Sequence, residues 1–191
     1  MKLLAFVAVV LVASGCQSLQ QASSPPAPKT VSVNGTTLTY LQQGSGTPVV
    51  LLHGAFADHR IWETQRNVVA TKYQFIALTM RYFGTTPWPD SGSNFSQSTH
   101  VADVAAFIRG LNSGPVYVVG RSYGAATALA LAVQHPQLVR ALFLNEPPVP
   151  SAVTDPSDQK AVADDRKGVA AVAAAVKAGD NAEATRQFFD W

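Results

Sequence analysis

A serine hydroxyl does chemistry only where the chain holds it clear of packing. Gly120-Arg121-Ser122-Tyr123-Gly124 puts one at such a place. The segment lies between the apolar run Pro115-Val116-Tyr117-Val118-Val119 and the Ala-rich stretch Ala125 to Gln134, which predicts a strand, a sharp turn and a helix with serine at the apex. In a G-x-S-x-G turn the chain reverses with almost no room. Side chains are excluded two residues before and after the serine, and its hydroxyl is pushed out of the sheet. The pentapeptide alone is common by chance, so the flanks carry the inference. Val116 to Val119 is continuously apolar, as in a parallel strand buried on both faces, and Ala125, Ala126, Ala128, Leu129, Ala130, Leu131 and Ala132 favour helix. Ser122 is the candidate nucleophile.

The elements that must carry this turn alternate along the chain. Thr30 to Val33 and Thr36 to Gln42 flank Asn34-Gly35, a dipeptide that accepts positive φ at both positions and so predicts a two-residue hairpin. Val49-Val50-Leu51-Leu52 runs into His53-Gly54. A helix around Arg60 to Ala70 precedes a further strand, Phe75 to Leu78. A helix from about Thr99 to Leu111 follows, with Val101, Val104, Ala105, Ile108 and Leu111 on one face and Ser98 as its N-cap. After the serine unit, Val139 to Leu144 reads as another buried strand, ending at Asn145-Glu146-Pro147-Pro148. This order predicts an α/β fold: a mostly parallel sheet flanked by helices, with an antiparallel hairpin at its start. No internal repeat is visible.

From about residue 31 to 150 the chain resembles the N-terminal two-thirds of an α/β-hydrolase fold enzyme, with His-Gly after the third strand, the serine elbow after the fifth and a helical insertion after the sixth. The resemblance implies an oxyanion hole made by the N–H following the nucleophile and one from the loop after the third strand. Here those residues are Tyr123 and Ala55. It also implies that His53 positions the oxyanion loop, since the family draws its base from a later loop. Trp62 is expected to pack helix on sheet. Arg81-Tyr82-Phe83-Gly84-Thr85 resembles the family's Asp-x-Arg-Gly-x-Gly loop, with Thr79 in place of the Asp and Tyr82 in place of the first Gly. Phe56, Trp88 and Tyr123 are candidates to line an apolar acyl pocket.

A serine needs a base to take its proton and an acid to orient that base. The family supplies these after its seventh and eighth strands. His59, His100 and His135 fall at helix ends, not on a loop over Ser122. Glu146, at the end of the sixth strand, is a possible acid, because some members take theirs from there. Residues 151–191, with Gln159 to Lys177 and Ala182 to Trp191 as helices, resemble the start of the cap that covers many such sites. Two expectations follow. In one, the sequence belongs to a serine hydrolase acting on an ester, amide or related acyl bond, with the acid and histidine beyond residue 191. In the other, a shortened chain has lost catalysis and binds a small apolar ligand or a partner. Ser rather than Asp at the apex argues against the epoxide hydrolase and haloalkane dehalogenase branches. The serine branch spans esterases, lipases, aminopeptidases, C–C bond hydrolases and cofactor-free haloperoxidases.

Lys2, the apolar run Leu3 to Ala13 and Ser14-Gly15-Cys16 read as an export signal, too short to span a bilayer. Small residues before the only cysteine resemble a bacterial lipobox. Residues 1–15 are then a signal peptide, Cys16 the lipidated first residue and residues 16–30 a disordered tether to an envelope membrane. Fourteen Lys and Arg against twelve Asp and Glu give no argument for nucleic acid. No cofactor or metal motif is visible, and the lone cysteine cannot form a disulfide within the chain. Expressed as the full precursor in a bacterium, the wild type is expected in the membrane fraction with lipid mass on an N-terminal peptide beginning at Cys16, and Cys16→Ala in the soluble fraction. Equal soluble recovery of both, without lipid, rules the anchor out.

Overall fold

The computed structural model describes residues 26–190. Six strands form one sheet: β1 (Lys29–Val33), β2 (Thr36–Gln43), β3 (Pro48–Leu52), β4 (Gln74–Leu78), β5 (Val116–Arg121) and β6 (Val139–Asn145), in the spatial order β1-β2-β4-β3-β5-β6. β1, β2 and β4 pair antiparallel in succession, and β4, β3, β5 and β6 run parallel. The predicted hairpin forms with Asn34 at φ 44° and Gly35 at φ 73°, the mirror-image turn whose twist matches that of the strands. β1 opens at Lys29, paired with Tyr40, two residues inside the segment read as tether.

The helices are α1 (Glu63–Ala70), α2 (Gln97–Gly110), α3 (Tyr123–Gln134), α4 (Pro156–Lys177) and α5 (Asn181–Asp190). Because successive strand side chains point to opposite faces, the fully buried β3 feeds two cores. Val50 and Leu52 join Ile76 and Leu78 of β4 under Val101, Val104, Ala105 and Ile108 of α2 and Ala128 and Leu131 of α3. Val49 and Leu51 join Phe75, Ala77 and Leu41 on the opposite face. Trp62 is buried there, packing as its sequence context implies.

Two details differ from the sequence expectation. The cap of α2 is Ser96, not Ser98: Ser96 is extended (φ −159°, ψ 156°) and its hydroxyl accepts the Thr99 N–H at 3.1 Å, which winds two more residues onto the helix. β6 is not buried on both faces. Val139, Leu142 and Leu144 pack against the core that α3 covers, whereas Arg140, Ala141 and Phe143 are exposed and, among the described residues, no strand lies beyond β6. Helices α4 and α5 pack on each other, and α5 returns Phe188 to Phe56 at a ring separation of 4.3 Å. Among the described residues no helix is long and apolar enough to cross a membrane.

An uncovered edge strand invites pairing with another chain, and past Arg140 the run Leu142-Phe143-Leu144 of β6 carries no charge or proline to oppose it. Phe143 is 65% exposed at the middle of β6. The purified 191-residue chain is therefore expected to self-associate in a concentration-dependent way by sedimentation velocity, and Phe143→Lys to shift the distribution toward monomer. A wild type that stays monomeric at the same concentrations would show the edge to be harmless.

Candidate active site

Ser122 joins β5 to α3 at φ 50° and ψ −121°, a conformation disfavoured for any residue with a Cβ and costing on the order of 1–3 kcal/mol. Backbone bonds on either side hold it there. Its N–H donates to Asn145 O at 2.9 Å, carrying the β5–β6 ladder up to the apex, and its carbonyl accepts the N–H groups of Ala125 (2.8 Å) and Ala126 (3.1 Å) in the first turn of α3. The two glycines are there for space. A Cβ on Gly120 would meet Ala125 Cα at 2.5 Å, and one on Gly124 would run into the carbonyl oxygens of His53 and Leu52. Helix α3 thus enters directly against the end of β3. The loop after β3 is equally close: a Cβ on Gly54 would stand 3.2 Å from Ser122 Cβ.

The two amides named as oxyanion donors occupy distinct positions. Tyr123 is the first residue of α3, so its N–H has no intrahelical partner and lies at the positive end of the helix dipole. Ala55 is exposed in the turn after His53-Gly54, followed by Phe56 at φ 53° and 63% exposed. His53 is fully buried beneath that turn. Its Nε2 accepts the Met80 N–H at 3.0 Å, so Nδ1 carries the proton and donates to Gly54 O at 2.7 Å. Burial pushes its pKa down to about 4, leaving the ring neutral with both nitrogens engaged. It supports the loop and has no free nitrogen to act as a base.

His100, set aside in the sequence as a helix-start residue, is fully buried against the elbow. Its Nε2 donates to Arg81 O at 2.9 Å, and its Nδ1 accepts the Tyr123 hydroxyl at 2.7 Å. The signal available in the sequence was weak: a histidine one residue before Val101 on the apolar side of α2. Arg81 forks onto Asp103 at 2.7 and 2.8 Å and reaches Asn34 O at 3.2 Å, while Asn34 Nδ2 donates to Asp103 Oδ1 at 2.9 Å. The hairpin turn is thereby tied to the loop after β4. In that loop Tyr82 takes φ 68°, so the substituted position keeps a glycine-like backbone, and Thr79 Oγ1 pairs with His59 Nδ1 at 2.7 Å.

A cavity of about 530 Å³ beside the elbow is lined by Ala55, Phe56, Tyr82, Phe83, Phe95 and Tyr123 among others. Phe56 and Tyr123 both line it. Trp88 instead packs edge-on against Tyr82 at 5.2 Å and lines an adjoining space. Glu146 sits at φ 50°, exposed, one residue past the carbonyl that holds the Ser122 amide, and its carboxylate bonds to no described residue. Among the described residues no histidine is hydrogen-bonded to Ser122 Oγ. Cys16 lies outside the described residues.

A serine at a strand–helix elbow over the central strands of a β1-β2-β4-β3-β5-β6 sheet defines a class of protein. Residues 47–189 match the family model described as alpha/beta hydrolase fold, and the chain belongs to that family. It is 38% identical over 118 residues to a 2-hydroxy-6-oxo-6-(2'-aminophenyl)hexa-2,4-dienoic acid hydrolase of Metapseudomonas resinovorans, a match covering 60% of this chain and 40% of the relative. It is 33% identical over 112 residues to a soluble epoxide hydrolase of a Corynebacterium strain, covering 59% and 38%. Among solved structures, epoxide hydrolase CorEH superposes with a TM-score of 0.60 at 27% identity, over 68% of this chain and 46% of that one. The chain spans about two-fifths of the length of the curated relatives it matches. Overall likeness therefore includes epoxide hydrolases, although the apex residue is Ser and not the Asp that the epoxide branch requires.

The buried neutral His53 has a pH consequence. Its pKa is lowered from 6.5 to about 4 in the fold, so the unfolded chain takes up a proton that the native state refuses. Stability is complete above the unfolded value and falls as pH drops through the interval, by up to ~1.4 kcal/mol per pH unit. Urea titrations at low protein concentration should give roughly 2 kcal/mol less stability at about pH 5 than at about pH 7, with a shallower dependence in His53→Gln. A flat wild-type profile would contradict the buried neutral ring.

Proposed function

We propose that this chain carries the nucleophile and oxyanion half of a serine hydrolase acting on an ester, amide or related acyl bond through an acyl-enzyme. The observation that carries the reading is Ser122 itself, strained at φ 50° with the first amide of α3 on one side and the Gly54-Ala55 loop on the other. In the proposed reaction a base takes the Ser122 Oγ proton as Oγ attacks the acyl carbon, and the carbonyl oxygen becomes an oxyanion facing the Ala55 and Tyr123 N–H groups. The leaving group then departs with a proton, and water releases the acyl group by the same steps. Two backbone donors at the oxyanion contribute several kcal/mol in the transition state, on the scale of about 3 kcal/mol for each. The aromatic cavity beside Tyr123 suits an apolar acyl or leaving group, and the similarity to the dienoic acid hydrolase adds C–C bond cleavage to the acyl chemistries this site accommodates. Neither His53 nor His100 has a free nitrogen for the base and no histidine is hydrogen-bonded to Ser122 Oγ among the described residues, so this reading takes the histidine from outside them and keeps Glu146, at the end of β6, as a possible acid. Lipid attachment at Cys16 would place this chemistry at a bacterial envelope membrane.

The absence of a histidine on Ser122 among the described residues also favours a second reading, an inactive protein that binds a small apolar ligand or a partner. Turnover separates the two. The 191-residue chain is expected to hydrolyse p-nitrophenyl esters only at a residual rate, whereas a form extended by C-terminal strands bearing a histidine and a carboxylate should turn over and lose about a thousandfold or more in Ser122→Ala. Extended protein that is equally active without Ser122 would refute the nucleophile. Extended protein that folds but never turns over would favour the binding reading.

A further inference from the structure

The two candidate oxyanion donors belong to different elements, yet each stands on a buried histidine, and both histidines reach the same stretch of backbone. His53 Nε2 accepts the Met80 N–H at 3.0 Å while its Nδ1 holds Gly54 O, next to Ala55. His100 Nε2 donates to Arg81 O at 2.9 Å while its Nδ1 holds the hydroxyl of Tyr123. We propose that Met80-Arg81 is a common anchor and His53 and His100 the two arms of a brace that sets the spacing of the Ala55 and Tyr123 amides, with His100 a positioning residue acting through the Tyr123 phenol. The inference rests on the hydrolase reading for its purpose, since it assigns the brace to the same oxyanion site.

Four observations support it. Both rings are fully buried, and the two hydrogen bonds of His53 are buried with it. Phe83 lies between the arms, edge-on to His53 at a centroid distance of 4.9 Å and tilted against His100 at 5.8 Å, which limits rotation of either ring. The anchor is itself fixed: Met80 is buried, and Arg81 is clamped by Asp103, whose side chain is 3% exposed. Tyr82, next along, holds φ 68°, a strained state that turns the chain away immediately after the Arg81 carbonyl has been presented to His100. Each histidine must be neutral, because each uses one nitrogen as donor and the other as acceptor, and the two must hold opposite tautomers. His53 carries its proton on Nδ1 and His100 on Nε2.

Nitrogen-15 NMR of the soluble 191-residue chain, in the Phe143→Lys background, tests this without any need for turnover. The long-range imidazole spectrum should show the opposite tautomers. Tyr123→Phe, which removes only the hydroxyl, should shift the amide resonances of both Tyr123 and Ala55. His100→Leu should do the same, and His100→Asn, which restores an acceptor near the Nδ1 position, should return both toward wild type. Movement of the Ala55 amide is the informative readout, because Ala55 lies on another element and is hydrogen-bonded to neither substituted side chain. In the extended form used for the Ser122→Ala assay, Tyr123→Phe should lower kcat roughly tenfold with little change in KM, since a misplaced oxyanion donor is felt in the transition state. Matching tautomers, or an Ala55 amide unmoved in both Tyr123→Phe and His100→Leu, would overturn the brace. Loss of all Ser122-dependent turnover with the NMR signature intact would instead refute the hydrolase reading and leave the brace standing as a feature of the fold.

Discussion

Everything at this site depends on how little room separates the start of α3 from the end of β3. The carbonyl oxygens of Leu52 and His53 occupy the place where a side chain on residue 124 would go, and Ala125 occupies the place of one on residue 120. Only glycine at both positions lets the helix seat on the strand. That contact drives the intervening serine into its strained conformation and brings the first free amide of the helix beside the Gly54 loop. Well-packed backbone cannot relax to admit a methyl group, so the cost of filling either position falls on the sheet itself. The hydroxyl is displayed because the backbone cannot otherwise close.

Around this contact the polar groups are arranged to be satisfied without charge. His53 and His100 are buried as neutral rings with both nitrogens bonded, which avoids the desolvation of an imidazolium. Beneath the loop after β4, Arg81 and Asp103 form a forked pair reinforced by Asn34. Removing one partner of such a pair leaves the other uncompensated, so the pair locates the loop more than it stabilises the fold. The antiparallel hairpin at the sheet's far edge gains a role from this: its turn residue, Asn34, helps to hold the loop on which the histidines stand.

Much of this was legible in the residues because local rules and the fold agree. Asn34-Gly35 is a hairpin in isolation and a hairpin in the sheet. Gly120-x-Ser122-x-Gly124 between a β-branched run and an alanine-rich run has one economical geometry, and it is the one found. Other features were not legible, for physical reasons. Ser96 and Ser98 are equal as caps until the backbone chooses which is extended. Tyr82 gives no hint of a positive φ, since nothing in a tyrosine requests it. In the sequence His100 is a histidine at a helix start, because its partners are a phenol 23 residues later and a carbonyl 19 residues earlier, pairings that exist only once the sheet has formed.

The central claim is that the fold presents Ser122 opposite two waiting backbone donors, whichever element supplies the base. The most direct measurement is a crystal structure of the extended form after reaction with an alkyl fluorophosphonate, which leaves a tetrahedral phosphorus on the serine as a stand-in for the tetrahedral intermediate. The account predicts a phosphonyl group on Ser122 Oγ with one oxygen within hydrogen-bonding distance, ~2.7–3.1 Å, of both the Ala55 and Tyr123 nitrogens. An adduct whose oxygens turn away from both amides toward solvent, or modification at a residue other than Ser122, would contradict it.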